Sequence, residues 1–202
     1  MYNLVAIYGK SGAGKDTLLK RLCRYRKYNK IISYTTRPQR EREVAELDYH
    51  FIDNFTFLKK IAQNKMLEYV EFKDGWFYGT CIDDLRTSKI NIGVYDPHRL
   101  MSLIELAKKE PDKYNILFCF LDASDKTLLS RSLNREEYPD CQEICRRFLA
   151  DKEDFCNFDK WLDTTPIDLK NIQLLAINAD DEWILHNDAI QSIMDRIDQY
   201  FS

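Results

Sequence analysis

The sequence has no long apolar run and no excess of basic charge. No stretch of its 202 residues approaches the roughly 20 apolar residues that a membrane-spanning helix needs. A formal net charge of -3 argues against a protein that binds nucleic acid through overall basicity. We therefore expect no membrane association and no nucleic acid partner, and any anion site has to be built from locally placed arginines.

The chain also lacks the spacings of metal-binding and hydrolytic sites. Its six cysteines form no C-x-x-C pair, and its three histidines are scattered, so neither a zinc site nor a hydrolytic triad is indicated. Reduced and mostly buried thiols are the simpler interpretation. The N-terminus enters an apolar run at once, without the pattern of a secretory leader, so we expect a cytoplasmic protein.

Apolar runs separated by helical patterns predict an α/β fold with a parallel sheet. With 45% apolar residues, the chain can bury one substantial core. Runs that are apolar on both faces, typical of buried parallel strands, cover residues 4–7, 90–95, 116–121 and 172–177. Helices are predicted at 100–109, at 125–135, from about 141 to 155, and along a C-terminal stripe of Leu185, Ala189, Ile190, Ile193, Ile197 and Phe201.

Residues 33–80 are predicted to form a small β-rich lobe inserted into that core. A strand-like run covers 31–36, a short helix 55–65 and a strand 66–72, and Lys73-Asp74-Gly75-Trp76 is a hairpin signal. One domain follows, with a core of residues 1–32, 81–128 and 156–202, the inserted lobe 33–80, and a helical lid 129–155.

A phosphate-binding loop is the most specific motif. The pattern G-x-x-x-x-G-K follows an apolar strand and opens an amphipathic helix. Its glycines allow backbone N–H groups to turn toward a phosphate chain, and Lys15 adds a positive charge at the outer phosphates. The residues expected to bind ATP are Gly9, Lys10, Ser11, Gly12, Ala13, Gly14, Lys15, Asp16 and Thr17.

Asp16 departs from this motif. Ser or Thr usually follows the lysine and binds Mg²⁺ through its hydroxyl, whereas here Asp16 stands in that place and Thr17 comes next. A carboxylate oxygen is also a ligand suited to Mg²⁺. Asp16 is therefore the candidate magnesium ligand.

A second set of motifs lies downstream of the loop. It consists of Ser33-Tyr34-Thr35-Thr36-Arg37-Pro38-Gln39-Arg40-Glu41-Arg42-Glu43, then Asp48-Tyr49-His50-Phe51, Leu67-Glu68-Tyr69 and Tyr78-Gly79-Thr80. In this order the motifs closely resemble those of the guanylate kinase family. The resemblance implies a P-loop NTPase-type fold and transfer of the γ-phosphoryl group of Mg-ATP to GMP or dGMP. The GMP-binding residues that it implies are Ser33, Arg37, Arg40, Glu43, Tyr49, Glu68, Tyr78, Gly79, Thr80 and Asp96.

The chemistry of these side chains suits that ligand. Arg37 and Arg40, three residues apart, can bind one monophosphate as a fork, and nearby tyrosine hydroxyls can complete its shell. Glu68 can accept from the N–H groups on the pairing edge of guanine. Ser33 and Thr80 can donate to the guanine carbonyl oxygen. Glu43 either contacts the ligand or braces the arginines.

Further arginines are candidates for the transfer step, because phosphoryl transfer requires mainly that charge be positioned and neutralised. Arg131 and Arg135 are four residues apart on a predicted helix and match the family's R-x-x-x-R before its lid. Arg147 matches the arginine of the helix after the lid, with Arg146 as its alternative. The catalytic candidates are Lys15, Arg131, Arg135 and Arg147.

Several departures leave alternatives open. The family pattern L-D-I-D-x-Q-G is replaced at residues 93–99 by Gly-Val-Tyr-Asp-Pro-His-Arg, the lid lacks Gly-Thr after Arg135, and the hairpin has an extra residue near Asp74. A related kinase for a deoxynucleotide or a phosphorylated sugar is one alternative. A non-catalytic interaction module is the other, against which the intact Gly14-Lys15 argues. Monomer and homodimer are equally compatible with the sequence.

Overall fold

The structure is a computed structural model that describes residues 1–41, 43–72, 75–135, 137–165, 171–180 and 186–202. Its strands are β1 (Tyr2–Tyr8), β2 (Tyr28–Lys30), β3 (Ser33–Thr35), β4 (Tyr49–Phe51), β5 (Met66–Glu71), β6 (Phe77–Cys81), β7 (Ile90–Val94), β8 (Tyr114–Asp122) and β9 (Ile172–Asn178). Its α-helices are α1 (Lys15–Leu22), α2 (Asn54–Ala62), α3 (Pro97–Lys109), α4 (Asp125–Leu133), α5 (Cys141–Thr164) and α6 (Asn187–Phe201). A short 3₁₀ helix, Ile82–Asp84, follows β6.

The core is a five-stranded parallel sheet in the order β2-β7-β1-β8-β9. Successive side chains of a strand point to opposite faces. Val5 and Ile7 accordingly join the cluster formed with α1, α4 and α6, whereas Leu4 and Ala6 join the cluster formed with α3 and α5. Because both faces are covered by helices, the strand sequences are apolar at nearly every position, as the sequence predicted.

An aromatic cluster fixes α5 beside the carboxyl end of β1. Tyr8, the last residue of β1, contacts Phe118 and Phe120 of β8 and Phe155 and Phe158 of α5, with ring centroids 4.9–6.3 Å apart. Large aromatic side chains bury much apolar area at little conformational cost. The cluster therefore holds α5 next to the loop that follows β1.

A second sheet has four strands in the order β4-β3-β6-β5. Its register pairs Ser33 with Tyr49, Thr35 with Tyr78, and Glu68 with Thr80. Paired residues of neighbouring strands share one face of a sheet, so these polar side chains lie on the same side.

The opposite face of this second sheet is apolar. Phe77, the neighbour of Tyr78 in β6, points away from the polar face and stacks on the fully buried Phe57 of α2, with ring centroids 5.2 Å apart. Helix α2 thereby covers the back of the sheet. The polar face is left for other contacts.

Some predicted boundaries were wrong. Of the run 31–36 only Ser33–Thr35 forms a strand, β3, and the preceding strand β2 ends at Lys30 and belongs to the other sheet. Helix α4 ends at Leu133 with Asn134 as its C-cap. Helix α5 continues beyond Phe155 to Thr164, because Phe158 extends its buried face. Lys73, Asp74 and Leu185 lie outside the described residues, and the division into core, lobe and lid stays a prediction.

The cysteines are less buried than expected. All six are free: Cys81 and Cys119 are buried, Cys23 is half-buried, and Cys141, Cys145 and Cys156 are exposed. The exposed three lie on α5, whose buried face is occupied by Phe155 and Phe158. Within the described ranges, none of the helices combines the length and apolar character needed to cross a membrane.

Asn91 of β7 is a fully buried polar residue that joins three segments. Its amide nitrogen donates to the carbonyl oxygens of Asn3 (3.0 Å) and Arg86 (3.0 Å). Its amide oxygen accepts from Asn29 Nδ2 (2.9 Å) and the Arg86 backbone N–H (2.8 Å). Both ends of the side chain are thus satisfied without water, as burial requires.

Asn91→Ala should destabilise the fold by about 2 to 4 kcal/mol, because several buried donors and acceptors would lose their partner together. Urea unfolding followed by circular dichroism measures this loss. The matched control is Asn54→Ala at an exposed position of α2, which should change stability by less than about 0.5 kcal/mol. Equal effects of the two substitutions would contradict the role assigned to Asn91.

Candidate active site

The loop between β1 and α1 is held in a tight arc. Gly12 has φ +86°, and a Cβ atom there would lie 2.7 Å from the carbonyl oxygen of Leu128 in α4. Only glycine fits this combination of conformation and close approach. The Lys15 ammonium donates to the carbonyl oxygens of Gly9 (2.7 Å) and Lys10 (3.0 Å), so it lies inside the arc.

Three carboxylates surround Lys15. Burial lowers the pKa of its ammonium, and the negative charges of Asp151, Asp16 and Asp96 oppose that shift. Asp16 is exposed in the first turn of α1, and Asp96 is the N-cap of α3, where it accepts from Arg99 N (3.0 Å). These carboxylates therefore favour the charged form of the lysine.

Asp151 of α5 is a site residue that the sequence analysis missed. Its Oδ2 accepts from the Ser11 backbone N–H at 2.5 Å. A carboxylate thus binds one of the loop N–H groups that the motif predicted to hold phosphate. The signal was present in the spacing, because Asp151 lies four residues before Phe155, on the side of α5 that faces β1.

Arg37 lies on the polar face of the second sheet and is held from several sides. It is 5% exposed, although it carries a full charge. Its Nε donates to the Tyr78 hydroxyl (2.9 Å), its two Nη atoms donate to Glu43 (3.0 and 2.7 Å), and its guanidinium lies 5.6 Å from the Tyr49 ring centroid. A buried arginine with fixed orientation is well suited to bind an anion.

Glu43 binds the arginine segment itself. Besides Arg37, it accepts from the backbone N–H of Arg40 (2.9 Å). The sequence left two roles open for Glu43, contact with the ligand and bracing of the arginines. This geometry supports the second role. The Arg40 side chain is exposed, so its participation in a shared fork with Arg37 stays a prediction.

The predicted base-reading residues, Glu68 and Thr80, are joined by an arginine. Arg99 Nε lies 3.1 and 2.9 Å from the two carboxylate oxygens of Glu68, and its Nη2 donates to Glu68 Oε1 (2.6 Å) and Thr80 Oγ1 (2.9 Å). The side chains of Arg99 and Glu68 are 4% and 0% exposed. The guanidinium also lies 4.6 Å from the Tyr95 ring centroid.

Sequence analysis did not assign Arg99 to the site, although a signal for it exists. The buried stripe of α3 includes Arg99, Leu100, Leu103, Ile104 and Ala107. An arginine within an apolar helix stripe needs a buried acid, because an unpaired buried charge is strongly unfavourable. The last residue of the segment 93–99, which departs from the family pattern, is Arg99, and it contacts Glu68.

The expectation for the lid arginines was partly wrong. Arg135 lies beyond the end of α4 and is exposed, so it does not share a helix face with Arg131. Arg131 is half-buried, with Nη2 3.4 Å from the Asp180 carbonyl oxygen. Arg146 and Arg147 both bind Glu143 on α5, and these contacts lower the pKa of Glu143 to about 2.

Tyr49 lies on the polar face of the second sheet, paired with Ser33. Burial raises the pKa of its phenol, the charge of Arg99 opposes that rise, and Tyr78, Arg37 and Asp16 exert smaller effects. The Tyr49 ring lies against the Arg37 guanidinium and 6.0 Å from the Tyr78 ring centroid, so it belongs to the group of side chains around Arg37.

The family model described as guanylate kinase matches residues 1–168 of the chain. The chain belongs to the guanylate kinase family. A guanylate kinase of Bartonella henselae is 36% identical over 146 residues, which cover 70% of this chain and 62% of that protein. One of Histophilus somni is 27% identical over 165 residues, covering 79% and 77%.

Other guanylate kinase relatives match over shorter stretches. One of Thermosynechococcus vestitus is 45% identical over 78 residues, which cover 38% of this chain and 40% of that protein. The solved guanylate kinase of Anaplasma phagocytophilum has a TM-score of 0.58 at 18% identity, covering 98% of this chain and 86% of the other. That similarity confirms the expected α/β fold with a parallel sheet flanked by helices.

Glu43→Gln should lower stability by about 1 to 2 kcal/mol at pH 7. Burial alone would raise the pKa of Glu43, but the hydrogen bonds from Arg37 and from the Arg40 backbone lower it. A lowered native pKa stabilises the fold above the unfolded value of about 4.3, and this contribution is lost as pH falls through the native pKa. Urea unfolding of both proteins at pH 7 and pH 3 measures the loss.

The exposed neighbour substitution Glu41→Gln is the matched control, with no comparable change expected at pH 7. A stability difference between wild type and Glu43→Gln that stayed constant across this pH range would show that the Arg37–Glu43 ion pair does not stabilise the segment.

Proposed function

We propose that this guanylate kinase family member transfers the γ-phosphoryl group of ATP to GMP, giving ADP and GDP. The Lys15 ammonium inside the arc of the loop and the buried, oriented Arg37 guanidinium support this proposal most directly, because each offers a positive charge to one of two phosphate groups. In this proposal an acceptor phosphate at Arg37 would adjoin a donor phosphate chain at the loop. Transfer between two bound nucleotides requires such proximity.

The loop from Gly9 to Thr17 would bind ATP. Its backbone N–H groups would hold the phosphate chain, and Lys15 would neutralise charge on the β- and γ-phosphates as the bond breaks. The present hydrogen bonds of Lys15 to Gly9 and Lys10 support this role, since they place the ammonium within the arc of the loop.

Arg37 would bind the phosphate of GMP, together with the hydroxyls of Tyr49 and Tyr78. Its Nε already donates to Tyr78, and Glu43 fixes the guanidinium plane. A bidentate guanidinium–phosphate contact is strong and directional. The exposed Arg40 would reach the same phosphate from the solvent side.

The base would be read through its 6-carbonyl oxygen. Thr80 Oγ1 accepts from Arg99, which leaves its hydroxyl proton for another acceptor, and Ser33 lies on the same face of the sheet. Arginine has no acceptor, so the 6-amino group of adenine would find no partner in Arg99. This arrangement favours a 6-oxopurine.

Asp16 would hold Mg²⁺, with Asp96 close by. Among the described residues, no group of three or more His, Cys, Asp or Glu side chains forms a metal site. Mg²⁺ bound with a nucleotide typically uses one or two carboxylates besides phosphate and water, so the carboxylates near Lys15 fit. When bound, the ion would neutralise charge on the phosphates.

Arg131, Arg135 and Arg147 would approach the transferred group from the lid side, and closure around it would exclude water. Because Arg147 is held by Glu143, its contribution requires exchange of that contact for a phosphate. Six free cysteines support a reducing compartment, and we propose a cytoplasmic location.

The test is a coupled assay of ADP formation against GMP, AMP, CMP and UMP. We expect kcat/KM for GMP to exceed that for AMP by at least about 10²-fold, because a site built for a hydrogen-bonding group rejects analogues that lack it. Lys15→Ala should lower kcat by at least about 10²-fold while the protein stays folded. Comparable turnover of AMP, or full activity of Lys15→Ala, would refute the proposal.

Arg37→Lys should raise the KM for GMP by about 10- to 100-fold, because an ammonium cannot reproduce the bidentate contact. The KM for ATP should stay within about threefold, since Arg37 lies on the acceptor side. Initial rates with each substrate varied at saturation of the other give both constants. Arg24→Lys, an exposed position, is the control. If only the KM for ATP changed, Arg37 would not bind the acceptor phosphate, and its assignment to the acceptor side would be wrong.

A further inference from the structure

Arg99 binds the carboxylate of Glu68, which the sequence analysis predicted to contact guanine. Both oxygens of Glu68 accept from Arg99, through three N–H···O contacts of 2.6–3.1 Å. A carboxylate offers about four acceptor positions, so three contacts fill most of them. The Glu68 side chain is 0% exposed, and both of its carboxylate oxygens are already bound to Arg99.

The Arg99–Glu68 contact is strongly favoured over a contact between Glu68 and a purine base. Guanine would offer Glu68 two neutral N–H groups, whereas Arg99 supplies donors of matched geometry together with a full positive charge. Leaving one member of a buried ion pair without its partner is costly. The Arg99 side chain is additionally held by Thr80 Oγ1 and lies over the Tyr95 ring.

Residues around Arg99 also fix its backbone. Asp96 caps α3 by accepting from Arg99 N, and Pro97 occupies the first turn of that helix, where its ring is compatible with helical geometry. The guanidinium therefore projects from a rigid helix start onto β5 and β6. Loop motion that would release it from Glu68 is limited by this cap.

We propose that Arg99 determines base specificity by keeping Glu68 from reading the 2-amino group of the purine. The inference rests on the proposed function and concerns the same acceptor site. Recognition is then confined to the 6-oxo side, so that a 6-oxopurine nucleotide with or without a 2-amino group is accepted equally. GMP and inosine monophosphate differ only in that group.

The experiment compares GMP with inosine monophosphate, as kcat/KM in the coupled assay and as Kd by calorimetry. For the wild type, the two nucleotides should differ by less than about threefold in either quantity. In Arg99→Ala the carboxylate becomes accessible, and preference for GMP should rise to about 10- to 100-fold, the worth of a hydrogen bond to a charged group. Arg26→Ala, an exposed arginine, should leave the ratio unchanged.

The outcomes separate this inference from the proposed function. A wild type that prefers GMP by more than about 30-fold overturns the inference and leaves the proposed function intact. A wild type that phosphorylates neither nucleotide refutes the proposed function. In that case the binding of GMP decides the inference. Binding to Arg99→Ala but not to wild type would support the inference that Arg99 occupies the Glu68 carboxylate. Binding to neither protein would overturn that inference.

Glu68→Gln provides a second readout if Arg99→Ala does not fold. Because Glu68 acts on the base only through Arg99 in this proposal, the substitution should change kcat/KM for both nucleotides by the same factor. A loss for GMP that exceeds the loss for inosine monophosphate by about tenfold or more would show that Glu68 contacts the 2-amino group directly, and would overturn the proposal.

Discussion

The buried ion pair of Arg99 and Glu68 joins the two sheets of the molecule. Arg99 begins a helix that packs on the parallel sheet, and Glu68 belongs to the second sheet. Removing one member of such a pair typically costs about 3 to 5 kcal/mol, far more than breaking an exposed ion pair. The packing of β5 against the start of α3 therefore depends on this contact.

Two kinds of charged contact occur in the site, and they differ in consequence. Arg99–Glu68 is buried, and Arg37–Glu43 joins a buried arginine to a half-buried acid, so both arginines have fixed positions before any ligand arrives. Arg146 and Arg147 share Glu143 at the exposed surface of α5, where solvent weakens the attraction and side chains exchange partners readily. In the proposed function, the preorganised arginines would lie on the acceptor side and the exchangeable ones on the lid side.

Much of the architecture followed from the sequence because its causes are local. Four apolar runs predicted the parallel strands, and glycine spacing before Lys15 predicted the loop. Arg99 and Asp151 could not be assigned in the same way, since each meets its partner only through packing of α3 on β5 and of α5 on β1. The end of α4 was also missed, because helix propensity changes little between Leu133 and Arg135.

Asp151 shows how the packing of α5 on β1 determines which anion binds the phosphate-binding loop. The loop sequence specifies N–H groups that bind an anion, and in this fold the anion at Ser11 is supplied by the chain itself. A phosphate at that N–H would have to replace the carboxylate, because two anions cannot share one donor without strong repulsion. Since Tyr8 anchors the same helix through Phe155, any such replacement acts on a side chain whose backbone is fixed beside β1. Such an exchange would require the Asp151 side chain to turn away from the Ser11 N–H.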